Sequence, residues 1–302
     1  MTALLEQTGR PTARPARPRR PAPRVGRRMR RRLAVALTVV VLSIGAVGYL
    51  MPFFWMLSTS LKAENQVYDY PITWVPDPIM WANFPGMFTT APFVTYLINT
   101  VVLTSLGVLG SIVGSSMAAY GFARFRFRGR SVAFGIMLAT MMIPIWVTIV
   151  PSYILFARIG WIDTYLPLLV PGFFAAPFNT FLMRQFFLSI PQELDEAARI
   201  DGAGSIRIFL QIILPLSKPV MMIVGLYAFL NYWNDFLGPL IFLQTQSKFP
   251  ISLGIMNFVG SQIQNYPYMM AAAMLSMLPC LILYAVAQKW FIQGVVITGV
   301  KG

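Results

Sequence analysis

Residues 189–215 read Ser189-Ile-Pro-Gln-Glu-Leu-Asp-Glu-Ala-Ala-Arg-Ile-Asp-Gly-Ala-Gly-Ser-Ile-Arg-Ile-Phe-Leu-Gln-Ile-Ile-Leu-Pro215. The stretch carries four of the chain's ten acids, Glu193, Asp195, Glu196 and Asp201, and the punctuation of two helices. Ser189 and Gln192 have the Ser-x-x-Gln spacing of a capping box, and Pro191 suits a first helical turn, where its missing N–H costs nothing. Acids near a helix start are favoured by the positive end of the helix dipole. Leu194, Ala197 and Ala198 fall at i, i+3 and i+4 and make one small apolar face. Gly202 fits a helix stop, because glycine reaches the left-handed conformation without steric penalty. Ser205 is placed to cap a second helix through Ile213, which Pro215 ends. The spacing predicts a helical hairpin over 189–217 that turns sharply at Gly202. A plain surface connector would account for the pattern. Small alanines on a projecting helix also let another backbone approach closely, and Glu196 offers a carboxylate to a partner's cation. The sharper reading is a coupling element, rigidly continuous with what flanks it.

On both sides the chain turns apolar. Hydrophobic residues make up 57% of the 302 and charged ones 11%, where a soluble domain carries roughly a quarter charged. Mean hydropathy is +0.64. Six stretches match the ~20 apolar residues that a bilayer-crossing helix needs. They are about 33–55, 93–119, 131–156, 164–187, 220–243 and 269–290. Pro144, Pro171, Pro177 and Pro279 fall within them, as membrane helices tolerate when neighbours satisfy the freed carbonyls. The expected fold is an all-α integral membrane protein with six transmembrane helices.

The formal charge of +14 would suggest nucleic acid on a soluble surface, but here it is segregated. Residues 1–32 hold eleven arginines, one acid and five prolines, the composition of a disordered basic tail. Twin-arginine and secretory readings of this start compete with it, yet the apolar run after it is too long for a signal peptide. With the N-terminus inside and six spans, 21 of the 24 basic residues fall on the inner side. Only Lys62, Arg158 and Lys248 remain outside. The positive-inside rule thus places both termini in the cytoplasm of a cell membrane. The outer segment 57–92, with Tyr68, Tyr70, Trp74 and Trp81, reads as a structured cap with an interfacial aromatic belt.

Several chemistries are excluded. The chain has no histidine and one cysteine, Cys280, which removes His-ligated metals, Ser-His-Asp triads, disulfides and Cys-x-x-Cys motifs. It has no Gly-x-x-x-x-Gly-Lys-Ser/Thr loop. No metal, cofactor or catalytic site is expected, and an intramembrane enzyme lacks acid–base machinery.

Glu196-Ala197-Ala198, then Gly202, then Ile212-x-Leu214-Pro215 resembles, at intact spacing, the EAA motif of binding-protein-dependent ABC importer permeases. Asn99-Thr100, Trp233-Asn234-Asp235 and the ending Phe291-Ile-Gln-Gly294 … Gly299-Val-Lys-Gly302 are similar to the second permease of maltose-type carbohydrate systems. The resemblance covers about 33–302, with a core at about 93–292, and leaves the tail 1–32 outside. It implies the ABC importer type I permease fold, half of a pore shared with a second permease, and an ATPase dimer below. It also implies an extracytoplasmic sugar-binding protein. Glu196, Ala197, Ala198, Gly202, Leu214 and Pro215 would then form the ATPase-coupling site, and 294–302 would reach toward the ATPases. The competing function is a self-sufficient secondary carrier or channel for a small polar solute. Such a carrier needs buried ionisable groups, of which Asp235 alone qualifies.

Candidates for the solute path are Asn99, Asn231, Trp233, Asn234 and Asp235, because embedded polar groups are costly and face the bundle interior. Amides, a carboxylate and aromatic rings suit sugar hydroxyls and faces. Interhelical hydrogen bonding explains the same residues, and for Asn99 it is the preferred reading. Gly110-Ser-Ile-Val-Gly114 predicts close helix packing, with the interface between permeases as one place for it.

Overall fold

The computed structural model describes residues 24–258 and 265–298, with side chains over 29–258 and 265–288. Every regular element among the described residues is helical. The contacts group the chain into two units, one ending at Phe54 and the other beginning at Trp55.

The first unit carries most of α1 (Arg24–Ser60). Residues 29–54 are exposed along their whole length, although Met29–Ser60 is strongly apolar. An apolar helix exposed all round has lipid as its solvent.

In the second unit a cap comes first. The Asn83 amide nitrogen donates to the carbonyls of Ser60 at 2.9 Å and Lys62 at 2.8 Å, closing the 57–92 segment onto α2 (Asn83–Thr90). Next come α3 (Phe93–Arg124), α4 (Arg130–Ala139), α5 (Ile145–Arg158), α6 (Leu166–Leu169) and α7 (Pro177–Ser189). The hairpin holds α8 (Glu193–Ile200), α9 (Ser205–Ile208) and α10 (Leu214–Leu216). α11 (Lys218–Trp233), α12 (Leu237–Phe242), α13 (Ile251–Gly254) and α14 (Tyr266–Thr298) complete the chain.

Among the described residues four helices are long and apolar enough to cross a membrane, and six spans result if two bent pairs each count as one. The third predicted span is such a pair, bent by 101° between Met142 and Ile145. Pro144 causes it. A proline cannot donate into the preceding turn, and it forces the residue before it out of the helix; Ile143 is accordingly extended. The fifth predicted span is also not one helix. α11 ends at Trp233, and α12 restarts at Leu237.

Small residues let the spans approach. A Cβ added to Gly107 of α3 would lie 2.5 Å from the Tyr232 ring of α11, and one on Gly110 2.6 Å from the Phe173 ring. At Gly114 it would run into the Phe173 backbone. The Gly110–Gly114 pair is therefore filled within this chain, by the 3-10 turn Val170–Phe173, and not by another permease. Below it, Ala119, Tyr120 and Ala123 of α3 share a core with Met183 and Phe187 of α7 and with Val220 and Val224 of α11. Ala198, Ile208 and Ile213 belong to the same core, so the hairpin is packed into the ends of three helices.

The opposite loops are clasped at Asp163. Its carboxylate accepts the Gln244 and Thr245 N–H groups, both at 2.9 Å, and lies 2.8 Å from the Lys248 ammonium. The Lys248 and Thr245 side chains, joined by the backbone donors, hold the Asp163 carboxyl well below the usual carboxylate range. A depressed folded value adds stability that is complete above the unfolded value, about 3.9, and is lost as pH falls below it. Asp163→Asn is expected to lower the melting temperature at pH 7, with the gap to wild type narrowing as pH falls below about 4. A gap that does not change with pH would contradict this ionic account.

Candidate functional site

Local signals build the hairpin, though not all of the predicted ones. α8 starts at Glu193 and keeps Glu193, Asp195 and Glu196 in its first turn, where the dipole favours them. The Ser189–Gln192 capping box does not form. Ser189 is the last residue of α7, and its hydroxyl donates to the Phe186 carbonyl at 2.6 Å. Pro191 lies ahead of α8, not in its first turn. It pushes Ile190 into extended conformation and so ends α7, as a residue before proline is expected to do.

The predicted stop at Gly202 is present. Its φ is +79°. The Gly202 N–H donates to the Arg199 carbonyl at 3.0 Å and the Ala203 N–H to the Ala198 carbonyl at 2.9 Å, the paired bonds of a Schellman cap. A Cβ on Gly202 would meet no atom within 4 Å.

The second arm departs from expectation. Gly204 rather than Ser205 stands at its N-cap, and Pro215 does not end it. The arm runs from Ser205–Ile208 through a π-helical stretch, Phe209–Ile213, into Leu214–Leu216. Pro215 has no N–H for the carbonyl one α-turn back, and the wider turn before it absorbs the mismatch. The bend comes at Ser217, whose hydroxyl donates to the Ile213 carbonyl at 2.6 Å; there the chain turns by 79° into α11.

α8 has two faces. Asp195 and Ala198 are buried, whereas Leu194, Glu196, Ala197 and Ile200 are exposed. The apolar face predicted from Leu194, Ala197 and Ala198 is thus split: Ala198 packs inward, and the other two point away. Leu214 is half-buried and Pro215 exposed. Ile200 and Ile206 are 87% and 76% exposed. With Leu210 they form apolar knobs that the sequence reading did not single out, although apolar residues in a segment outside the spans were a usable signal. A shallow cleft of about 680 Å³ lies along the second arm, lined by Gly204, Ser205, Ile206, Arg207, Leu210 and Gln211.

The sequence reading also missed a buried ion pair. Arg124 Nε at the end of α3 lies 2.9 Å from Asp195 Oδ2, with the side chains 2% and 6% exposed. No spacing rule joins positions so far apart in the chain.

The predicted solute-path residues separate into two groups. The Asn99 amide donates to the carbonyls of Ser247 at 2.8 Å and Phe249 at 3.0 Å, tying α3 to the 243–250 loop. Trp233 is 6% exposed; its ring N–H donates to the Ser276 carbonyl of α14 at 3.0 Å, and it stacks on Phe229. Asn231 and Asn234 are exposed, each donating one turn back along α11, to Tyr227 and Leu230. Asp235 Oδ1 accepts the Gly238 N–H at 3.1 Å, which satisfies one of the free N–H groups in the first turn of α12. The side chains of the ending Phe291–Gly302 lie outside the described residues.

A multi-span helical bundle that projects a capped hairpin between two of its spans is the architecture of a membrane transport subunit. The chain belongs to the family described as "Binding-protein-dependent transport system inner membrane component", whose model matches residues 110–297. It is 33% identical to the sn-glycerol-3-phosphate transport system permease protein UgpE of Yersinia enterocolitica, over 85% of this chain and 94% of that protein. It is also 33% identical to the melibiose/raffinose/stachyose import permease protein MelC of Bacillus subtilis, over 91% of this chain and 100% of that one. A solved bacterial ABC transporter involved in import of the acidic polysaccharide alginate contains a chain of the same fold. The TM-score is 0.77 and the identity 26%, with 86% of this chain and 97% of that chain covered. The protein is accordingly a multi-pass inner-membrane permease of an ABC importer and not an enzyme.

Proposed function

We propose that the chain forms half of a membrane pore that imports a carbohydrate or carbohydrate derivative. A second permease completes the pore, an ATPase dimer drives it from the cytoplasmic side, and an extracytoplasmic binding protein delivers the solute. The observation that carries this reading is the hairpin. Its outer face offers Glu196, Ala197 and the open side of Gly202, while its inner face is locked into the core of α3, α7 and α11. A rigid body with one free face can pass force from a soluble motor to the spans. In this scheme Glu196 pairs with a basic group of the ATPase, Gly202 keeps the contact free of bulk, and Ala198 seats the arm. Leu214 and Pro215 lead the second arm back to α11. The charge asymmetry supports cytoplasmic termini, with 1–32 a tail and 33–302 the permease.

The named solutes of the relatives, sn-glycerol-3-phosphate and melibiose, raffinose and stachyose, support a hydroxyl-rich solute. Asn231 and Asn234 stand on one exposed side of α11 beside the Asp235 break and are the groups we assign to the solute path. Asn99 and Trp233 hold the frame around them.

The two faces of α8 supply a test. In a Cys280→Ser background, Ala197→Cys is expected to cross-link to the ATPase in the assembled complex, and Ala198→Cys is not. Equal cross-linking at both positions would contradict the assignment of the outer face. Uptake by the chain alone, driven by an ion gradient, would instead establish a secondary carrier.

A further inference from the structure

The hairpin is continuous in sequence with α7 and α11, yet its tightest polar contacts are to α3. Arg124, the last residue of α3, places Nε 2.9 Å from Asp195 Oδ2 in a site where both side chains are almost fully buried. The same guanidinium donates through Nη2 to the carbonyl of Ile190, the residue joining α7 to α8, at 2.9 Å. One turn earlier the Tyr120 hydroxyl donates to the Ser205 carbonyl on the second arm at 3.1 Å, and its ring lies against Phe209. The end of α3 therefore touches the joint and both arms of the hairpin.

A buried ion pair is a poor stabilising device, since the desolvation of two charges can exceed their attraction unless every lone pair and proton is satisfied. Here satisfaction is incomplete: Arg124 Nε and Nη1 and Asp195 Oδ1 are buried without hydrogen-bond partners, so the pair is held by charge at 2.9 Å rather than by an aligned hydrogen bond. Packed apolar side chains would fill the same space at no greater cost. What Arg124 supplies is direction: its Nη2 bond to the Ile190 carbonyl fixes the joint ahead of α8, and the Asp195 charge holds the guanidinium against α8, a narrower constraint than methyl packing gives.

We propose that Arg124 and Asp195 are positioning residues that make α3 a lever of the hairpin, so that movement imposed on α8 is delivered to α3 as well as to α7 and α11. The proposal rests on the hairpin being the ATPase dock. Arg184 reinforces the arrangement: its Nε donates to the Phe122 carbonyl at 3.2 Å and its guanidinium sits 4.3 Å from the Phe134 ring centroid, which fastens α7 to the same end of α3.

The test uses the complete reconstituted transporter, with both permeases, ATPases and binding protein. Arg124→Met alone leaves a buried unpaired carboxylate and is a weak probe, so the informative variant is Arg124→Met with Asp195→Leu. This double variant is expected to assemble, to melt a few degrees below wild type because the Ile190 carbonyl loses its Arg124 donor, and to hydrolyse ATP at the basal rate. Its stimulation by sugar-loaded binding protein is expected to fall about tenfold, a coupling change of ordinary size. Arg124→Lys, which keeps a charge opposite Asp195, is expected to recover part of that stimulation. If the double variant is stimulated as strongly as wild type, the Arg124–Asp195 proposal falls and the coupling reading stands. If the wild-type complex itself shows no stimulation, both fall.

Discussion

A Gly202→Asp permease is expected to insert, assemble and melt within a few degrees of wild type, while ATP-driven uptake in vesicles falls by about tenfold or more. The fold cost is small for two reasons. Aspartate is among the few residues that visit the left-handed region, where an ordinary side chain costs roughly 1–2 kcal/mol. A Cβ at this position would also meet nothing within 4 Å, so no core contact is strained. The space that the new carboxylate fills lies outside the chain, where the docking scheme puts the ATPase. The substitution adds a charge and four heavy atoms at the turn that follows Glu196 and Ala197 in the chain. Gly202→Asn separates the causes, since asparagine tolerates the same φ without a charge. If bulk decides, Asn and Asp lose uptake alike; if charge decides, Asn keeps more. Wild-type uptake in Gly202→Asp would remove the docking face from this side of the turn.

The stop at Gly202 could be read from sequence because it is local. A glycine closing a short helix needs only its own φ and two backbone bonds, and both bonds form. The apolar spans were legible for a similar reason, since lipid acts on composition rather than on partners. Three features were hidden because they depend on what lies opposite. Ser189 has the chemistry of a cap, but α7 runs on through it and takes its hydroxyl. Pro144 and Pro279 look alike in sequence, yet α14 continues through Pro279 while the chain bends by 101° next to Pro144. Arg124 counted only as an inner-side positive charge and Asp195 only as an acid near a helix start. Their pairing is made by the tertiary approach of α3 to α8.

The glycines of α3 carry the second large effect. Gly107, Gly110 and Gly114 each leave less than 3 Å for an added methyl group, but what stands opposite differs. At Gly110 it is the ring of Phe173, a side chain 42% exposed and able to swing away. At Gly107 it is the Tyr232 ring, which Gly172 also confines through its hydroxyl end. At Gly114 it is the Phe173 carbonyl and its carbon, backbone atoms that move only if the Val170–Phe173 turn shifts. Replacing glycine by alanine inside a helix is worth about 0.5–1 kcal/mol in backbone entropy, whereas overpacking costs typically 1–3 kcal/mol. Gly110→Ala is therefore expected to be near neutral. Gly114→Ala is expected to cost about 2–3 kcal/mol or more, with Gly107→Ala between them. Thermal unfolding of the three variants in detergent or nanodiscs reads the order directly. Gly114→Ala melting at or above Gly110→Ala would mean that the turn is free to shift. The fixed contact between α3 and the Val170–Phe173 turn would then be lost as an account of the Gly110–Gly114 spacing.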